Sequence, residues 1–262
     1  VKRFFLSAAV FAIVTATSFS AEPTATKWTV DGVQREALVF PPTKPSKKAP
    51  VVFAFHGHGG NMHFAARGMA FQNFWPEAII VYPQGLPAPT LFPEQEKRLR
   101  PGWQRDPGAL GDRDLKLVDT ILRTLHDQYA IDDRRIYATG FSNGGFFTYL
   151  LWAERADVFA AFAPGSSTLL PTVRPTQPRP ILHYGGEKDK LVPIQEQRRA
   201  IDFARQLNGC SEHAKSCGDN CTHYSSVKQA PVEAFIHPYG HIYPPPVSAE
   251  IIRFFRNHPR SS

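Results

Sequence analysis

The run Gly140-Phe141-Ser142-Asn143-Gly144 fits the pattern G-x-S-x-G. That pattern holds a serine on a tight turn with its oxygen clear of the backbone, and the small flanking residues relieve the crowding. A serine hydroxyl is a poor nucleophile until a base takes its proton. In a chain order of serine, acid, histidine, both partners lie downstream. Asp189, in Gly186-Glu187-Lys188-Asp189, and His241, in Tyr239-Gly240-His241, answer that requirement. His241 would shuttle the proton, and Asp189 would hold the imidazole tautomer and stabilise its charge. His237 is a rival base, although the proline after it constrains its backbone. Glu187 is the rival acid, and Asp202 reads as a solvated helix residue.

Attack on a carbonyl places negative charge on its oxygen, and backbone N–H groups aimed at that point stabilise it. The N–H of Asn143, directly after the serine, is one candidate donor. The other is expected from His56-Gly57-His58-Gly59-Gly60, because glycine lets backbone approach a substrate closely. His58 is the first choice and Gly59 the second. His56 and His58 could also be metal ligands, but no third ligand has suitable spacing, so neither a metal nor another cofactor is expected. Trp103, Tyr184, Gly59, Trp75 and Phe92 fall in loops or at strand ends from which they could reach the edge of a substrate pocket.

For Ser142, Asp189 and His241 to meet, the chain must bring their segments to one edge. Strand-like and helix-like stretches alternate, which points to an α/β fold with a mostly parallel central sheet and helices on both faces. In such a sheet the strand C-terminal ends share one edge. Lys27–Val30 and Arg35–Phe40 read as a starting pair. Val51–Phe55 is apolar throughout, as a buried central strand would be. Ala78–Tyr82, Arg135–Ala138, Phe159–Ala163, Ile181–Tyr184 and Val232–Ile236 read as further strands. Leu115, Val118, Leu122, Leu125 and Tyr129 recur at helical steps. Further helices are expected from Phe146 to Ala153, Ile194 to Leu207 and Ser248 to Phe255. Leu86–Gly108 is a proline-rich insertion expected to lie over the site.

Together these motifs resemble the esterase family that groups poly(3-hydroxybutyrate) depolymerase-like proteins with feruloyl and acetyl xylan esterases. The matching stretches are HGHGG (56–60), VYPQG (81–85), GW (102–103), DDRRIYATGFSNGG (132–145), FAAFAP (159–164), EKDKLVP (187–193), NGC (208–210) and GHIYP (240–244). The resemblance implies an α/β-hydrolase fold and metal-free hydrolysis of carboxylic esters. It carries the roles of nucleophile, acid and base to Ser142, Asp189 and His241, and those of the oxyanion donors to His58 and Asn143. The expected function is a secreted serine ester hydrolase working through an acyl-enzyme on Ser142. Its expected substrates are feruloyl or acetyl polysaccharide esters, or hydroxyalkanoate-type polyester fragments. An aromatic-lined pocket would suit an aryl acyl group such as ferulate. The alternatives are an acyltransferase with a non-water acceptor, a serine peptidase, and a non-catalytic binder on the same scaffold.

The 262 residues are 42% hydrophobic and 20% charged, an ordinary globular balance. Lys2 and Arg3, the apolar run from Phe4 to Val14 and small residues through Ser20 read as a signal peptide over 1–20, with cleavage before Ala21. Residues 21–262 are then one catalytic domain. The apolar run is short for a membrane span, so no stable anchor is expected. The net charge of +7 is scattered along the chain, which speaks against nucleic-acid binding. A monomer is expected. Cys210, Cys217 and Cys221 allow three pairings in an oxidising compartment, of which Cys210–Cys221 is favoured. A zinc knuckle that adds His213 lacks the usual C-x-x-C pair.

Overall fold

The computed structural model describes residues 23–90 and 99–261. The leader expected at 1–20 lies outside them, as does Phe92. Strands β1 (Thr24–Val30) and β2 (Val33–Phe40) form a hairpin. It turns on Asp31 and Gly32, both at positive φ, which matches the strand twist of a two-residue hairpin. Next come β3 (Ala49–Phe55), α1 (Met62–Met69), α2 (Phe71–Phe74) and β4 (Ile79–Pro83). The short strands β5 (Leu86–Ala88) and β6 (Arg100–Gly102) pair with each other, apart from the main sheet. Then follow α3 (Arg113–Gln128), β7 (Ile131–Phe141), α4 (Asn143–Glu154), β8 (Ala161–Gly165) and β9 (Ile181–Gly186). The chain closes with α5 (Ile194–Leu207), β10 (Lys215–Gly218), β11 (Cys221–Tyr224), β12 (Val232–His237) and α6 (Val247–Asn257).

Among the described residues, the main sheet has ten strands in the order β1-β2-β4-β3-β7-β8-β9-β12-β11-β10. The six inner strands, from β4 to β12, run parallel, and antiparallel hairpins flank them. Strand side chains alternate between faces. Val51, Phe53 and Phe55 of β3 therefore join one core, with α3, α4 and α5 packed over it. Val52 and Ala54 join the other, under α1, α2 and α6. Helix α4 is apolar nearly all round, and it is buried nearly all round.

Three expectations change. The strand expected at Arg135–Ala138 extends over the eleven residues of β7, because its polar first half still pairs at the sheet end. The strand expected at Phe159–Ala163 begins two residues later, at Ala161. The cysteine segment is a hairpin on the sheet edge, and the disulfide joins Cys217 to Cys221, not Cys210 to Cys221. The Cα atoms of Cys217 and Cys221 are 5.0 Å apart across the hairpin mouth, within disulfide reach. The Cys210 sulfur instead faces the Ala230 carbonyl at 3.9 Å. The disulfide also takes two of the four ligands a zinc knuckle would need. Among the described residues, no helix is long and apolar enough to cross a membrane.

Candidate active site

Ser142 sits between the end of β7 and the start of α4 with φ 55° and ψ −118°. A non-glycine residue in that region is strained and is held there by its surroundings. The two flanking glycines are sterically required. A Cβ at Gly140 would fall 2.3 Å from the Gly144 carbonyl oxygen, and one at Gly144 would fall 2.3 Å from that of Phe55. The Ser142 N–H donates to the Gly165 carbonyl at 2.8 Å, which ties the turn to the end of β8.

The structure brings the three distant side chains together. Ser142 Oγ lies 2.9 Å from His241 Nε2, and His241 Nδ1 lies 2.8 Å from Asp189 Oδ2. Each comes from a segment at the C-terminal edge of the sheet: Ser142 after β7, Asp189 after β9 and His241 after β12. Asp189 Oδ1 accepts the N–H groups of Leu191 and Val192, each at 2.9 Å. Burial pushes the Asp189 carboxyl up. The hydrogen bond from His241 and the two backbone N–H groups outweigh that push and hold the group below its usual range. Asp189 is therefore an anion aimed at the imidazole.

The rivals sit elsewhere. His237 is buried, and its Nδ1 accepts the Tyr239 N–H at 3.2 Å. Glu187 is at the surface, paired with Arg198 at 2.6 Å. His56 is locked by its neighbours: Nε2 accepts the Gly85 N–H at 3.0 Å and Nδ1 donates to the Gly57 carbonyl at 2.8 Å. Burial lowers its pKa to about 4, so it is neutral and structural.

Of the two donor candidates in the glycine loop, Gly59 is already engaged, since its N–H donates to the Pro101 carbonyl at 2.8 Å. His58 follows Gly57, which lies against the turn. A Cβ at neighbouring Gly57 would sit 3.5 Å from the Ser142 Cβ. One at Gly102 would fall 3.0 Å from His58 Nδ1 and 2.8 Å from Asn143 Oδ1. The His58 and Asn143 side chains thus both close on Gly102. Asn143 also opens α4, where the first N–H groups lack partners within the helix and carry its positive dipole end.

The expected aromatic pocket is not made by Trp103, Tyr184 or Trp75. Trp103 is 1% exposed and donates from Nε1 to the His56 carbonyl at 2.8 Å. Tyr184 is 0% exposed and donates from its hydroxyl to the Gly140 carbonyl at 2.9 Å. Trp75 packs inside against Tyr137. These rings brace the glycine loop, the serine turn and the core from within. Among the exposed apolar side chains of the described residues, Tyr239 and Ile242 lie within two residues of His241 in the chain, and Leu191 within two of Asp189. Their loops are tied by the Lys188 N–H donating to the Tyr239 carbonyl at 3.0 Å.

Sequence reading named Asn143 for its backbone N–H and not for its side chain, and it missed Gln197. The Asn143 side chain holds the backbone of Trp103, and Gln197 holds Asp189. The only sequence signal was their proximity to the motifs, at the position after the serine and eight residues after the acid.

Among curated proteins, the chain is 25% identical over 186 residues to a bifunctional acetylxylan esterase/xylanase of Neocallimastix patriciarum, a match covering 70% of this chain and 26% of that one. It is 29% identical over 175 residues to feruloyl esterase C of Emericella nidulans, covering 63% of this chain and 58% of the other. The chain thus spans about a quarter and under three fifths of these two relatives. The solved structure of an acetyl xylan esterase from Aspergillus awamori superposes with a TM-score of 0.65 at 13% identity, over 89% of this chain and 99% of that one, a likeness of fold. Residues 36–236 match the family described as Phospholipase/Carboxylesterase, and with its mostly parallel, helix-flanked sheet the chain belongs to that family of α/β-hydrolases.

Proposed function

We propose that the protein is a serine carboxylic ester hydrolase that works through an acyl-enzyme on Ser142. The observation that carries this reading is the unbroken line of hydrogen bonds from Ser142 Oγ through His241 to Asp189, set on a strained turn at a helix start. Ser142 Oγ attacks the ester carbonyl and its proton passes to His241 Nε2. The N–H groups of Asn143 and His58 stabilise the oxyanion of the tetrahedral intermediate. As the intermediate collapses, His241 returns the proton to the leaving alcohol. Water, deprotonated by the same imidazole, then attacks the acyl-enzyme and releases the acid.

The names of the curated relatives support feruloyl or acetyl esters of polysaccharides as substrates. The exposed apolar side chains of Tyr239, Ile242 and Leu191 beside the site suit an aryl acyl group. Work outside the cell fits the Cys217–Cys221 disulfide, since such bonds persist in oxidising compartments.

The test is hydrolysis of p-nitrophenyl acetate, methyl ferulate and a hydroxybutyrate oligomer by the purified protein and by Ser142→Ala. The substitution is expected to lower kcat on the order of 10⁴–10⁶-fold. Near-wild-type activity in Ser142→Ala would overturn the mechanism. Ester product formed with an added alcohol in place of free acid would identify an acyltransferase.

A further inference from the structure

Asp189 has a partner that the Ser142–His241 line does not require. Gln197, in the first turn of α5, donates from Nε2 to Asp189 Oδ2 at 3.1 Å and to the Val192 carbonyl at 2.7 Å. Its Oε1 lies 3.0 Å from Nε2 of His183, on β9. His183 Nδ1 in turn lies 2.8 Å from the Tyr149 hydroxyl, on α4. Gln197 and His183 are 0% exposed and Tyr149 is 1%.

Chemistry fixes every direction along this chain. The Gln197 nitrogen faces two acceptors, a carboxylate and a carbonyl, so the amide oxygen must be the end facing His183. That oxygen only accepts, so His183 carries its proton on Nε2. Nδ1 is then an acceptor, and the Tyr149 hydroxyl donates to it. Burial lowers the His183 pKa to about 4, which keeps the ring in this one-proton form. The backbone leaves room for the arrangement: a Cβ at Gly185 would fall 1.9 Å from Gln197 Oε1.

We propose that Gln197, oriented by His183 and Tyr149, is a positioning residue for Asp189. It acts on the oxygen that His241 uses. Its N–H fixes the rotation of the carboxylate and draws off part of the negative charge at Oδ2. This rests on the reading of Ser142, His241 and Asp189 given above. Without the Gln197 N–H, the carboxylate would turn more freely and hold more charge against the imidazole. Catalysis would slow, and the imidazole would keep its proton to a higher pH. His237 also feels the charge of Asp189, and it is common to all the variants below.

The experiment compares wild type, Gln197→Met, Gln197→Glu and Ser142→Ala on a soluble p-nitrophenyl ester, each checked for a cooperative thermal melt. Gln197→Met keeps the volume and removes both polar ends. Gln197→Glu keeps the shape if the first variant does not fold, and it sets a second carboxyl beside Asp189. In the folded variants kcat should fall about 10- to 100-fold, as for a lost hydrogen bond to a charged group, with KM within about twofold. The acid limb of the kcat/KM profile should move to higher pH, a readout that simple core filling would leave in place. Wild-type kcat with an unmoved limb in a folded Gln197 variant, while Ser142→Ala is inactive, would overturn this inference alone. Full activity in Ser142→Ala would overturn the reading beneath it.

Discussion

Asn143 holds Trp103 by both ends of one peptide unit's neighbourhood: its Oδ1 accepts the Trp103 N–H at 2.6 Å and its Nδ2 donates to the Trp103 carbonyl at 3.2 Å. The side chain of the residue after Ser142 thus fixes the backbone at Trp103, while its own backbone N–H remains at the helix start. Trp103 returns the constraint, since its indole N–H bonds the His56 carbonyl at the root of the glycine loop.

Asn143→Ala is therefore expected to loosen the insertion from the serine turn while leaving the backbone donor in place. Two buried hydrogen bonds are lost, and the Trp103 backbone groups are left unsatisfied, a cost of about 1–3 kcal/mol each. Denaturant unfolding should show the loss of stability. A Trp103 environment unchanged by fluorescence and an unchanged midpoint would contradict it.

Asp189→Asn is expected to lower kcat about 10²- to 10⁴-fold, because an amide does not stabilise the imidazolium and can favour the wrong tautomer. Glu187→Gln should stay near wild type, since Glu187 only pairs with Arg198 at the surface. A larger loss in Glu187→Gln than in Asp189→Asn would reassign the acid.

Acid should weaken the fold through the same carboxylate. The folded-state pKa of Asp189 lies below its ordinary value. Its contribution is complete above the unfolded value of about 3.9 and disappears as pH falls through the folded one. The stability gap between wild type and Asp189→Asn should be widest near pH 7 and should narrow toward about pH 3. Urea titrations at both pH values would reveal a constant gap if the carboxylate were not linked in this way.

The end of the insertion is anchored by a buried pair. Asp114 Oδ1 meets Arg35 at 2.7 Å, with side-chain exposures of 0% and 1%, and Asp114 Oδ2 accepts the Gln104 N–H at 2.8 Å. Asp114→Ala would strand the guanidinium and should cost about 3–5 kcal/mol. The double variant Arg35→Met, Asp114→Leu should recover much of that loss. A double variant no more stable than Asp114→Ala would count against a stranded charge as the cause.

Local sequence determined a good deal of this protein. Val51–Phe55 read as a strand covered on both faces, because it offers no polar side for water, and it lies within the fully buried β3. The helix at Ile194–Leu207 has the same bounds in the structure as in its periodicity. Gly140 and Gly144 marked the serine turn, since the close backbone approach there excludes any Cβ. Spacing also singled out Asp189 and His241, which the fold places in one hydrogen-bonded line with Ser142.

Tertiary structure decided what depends on partners far away in the chain. Trp103 and Tyr184 could have faced either substrate or core; their N–H and O–H groups found backbone carbonyls at His56 and Gly140, and so they turned inward. Cysteine spacing left three pairings open, and the hairpin register selected Cys217 with Cys221 by bringing their Cα atoms to 5.0 Å. Gln197 read as one polar helix residue among several. Its proximity to Asp189 and His183 arises only when α5 packs under the end of β9, because a hydrogen bond needs a distance that composition does not encode.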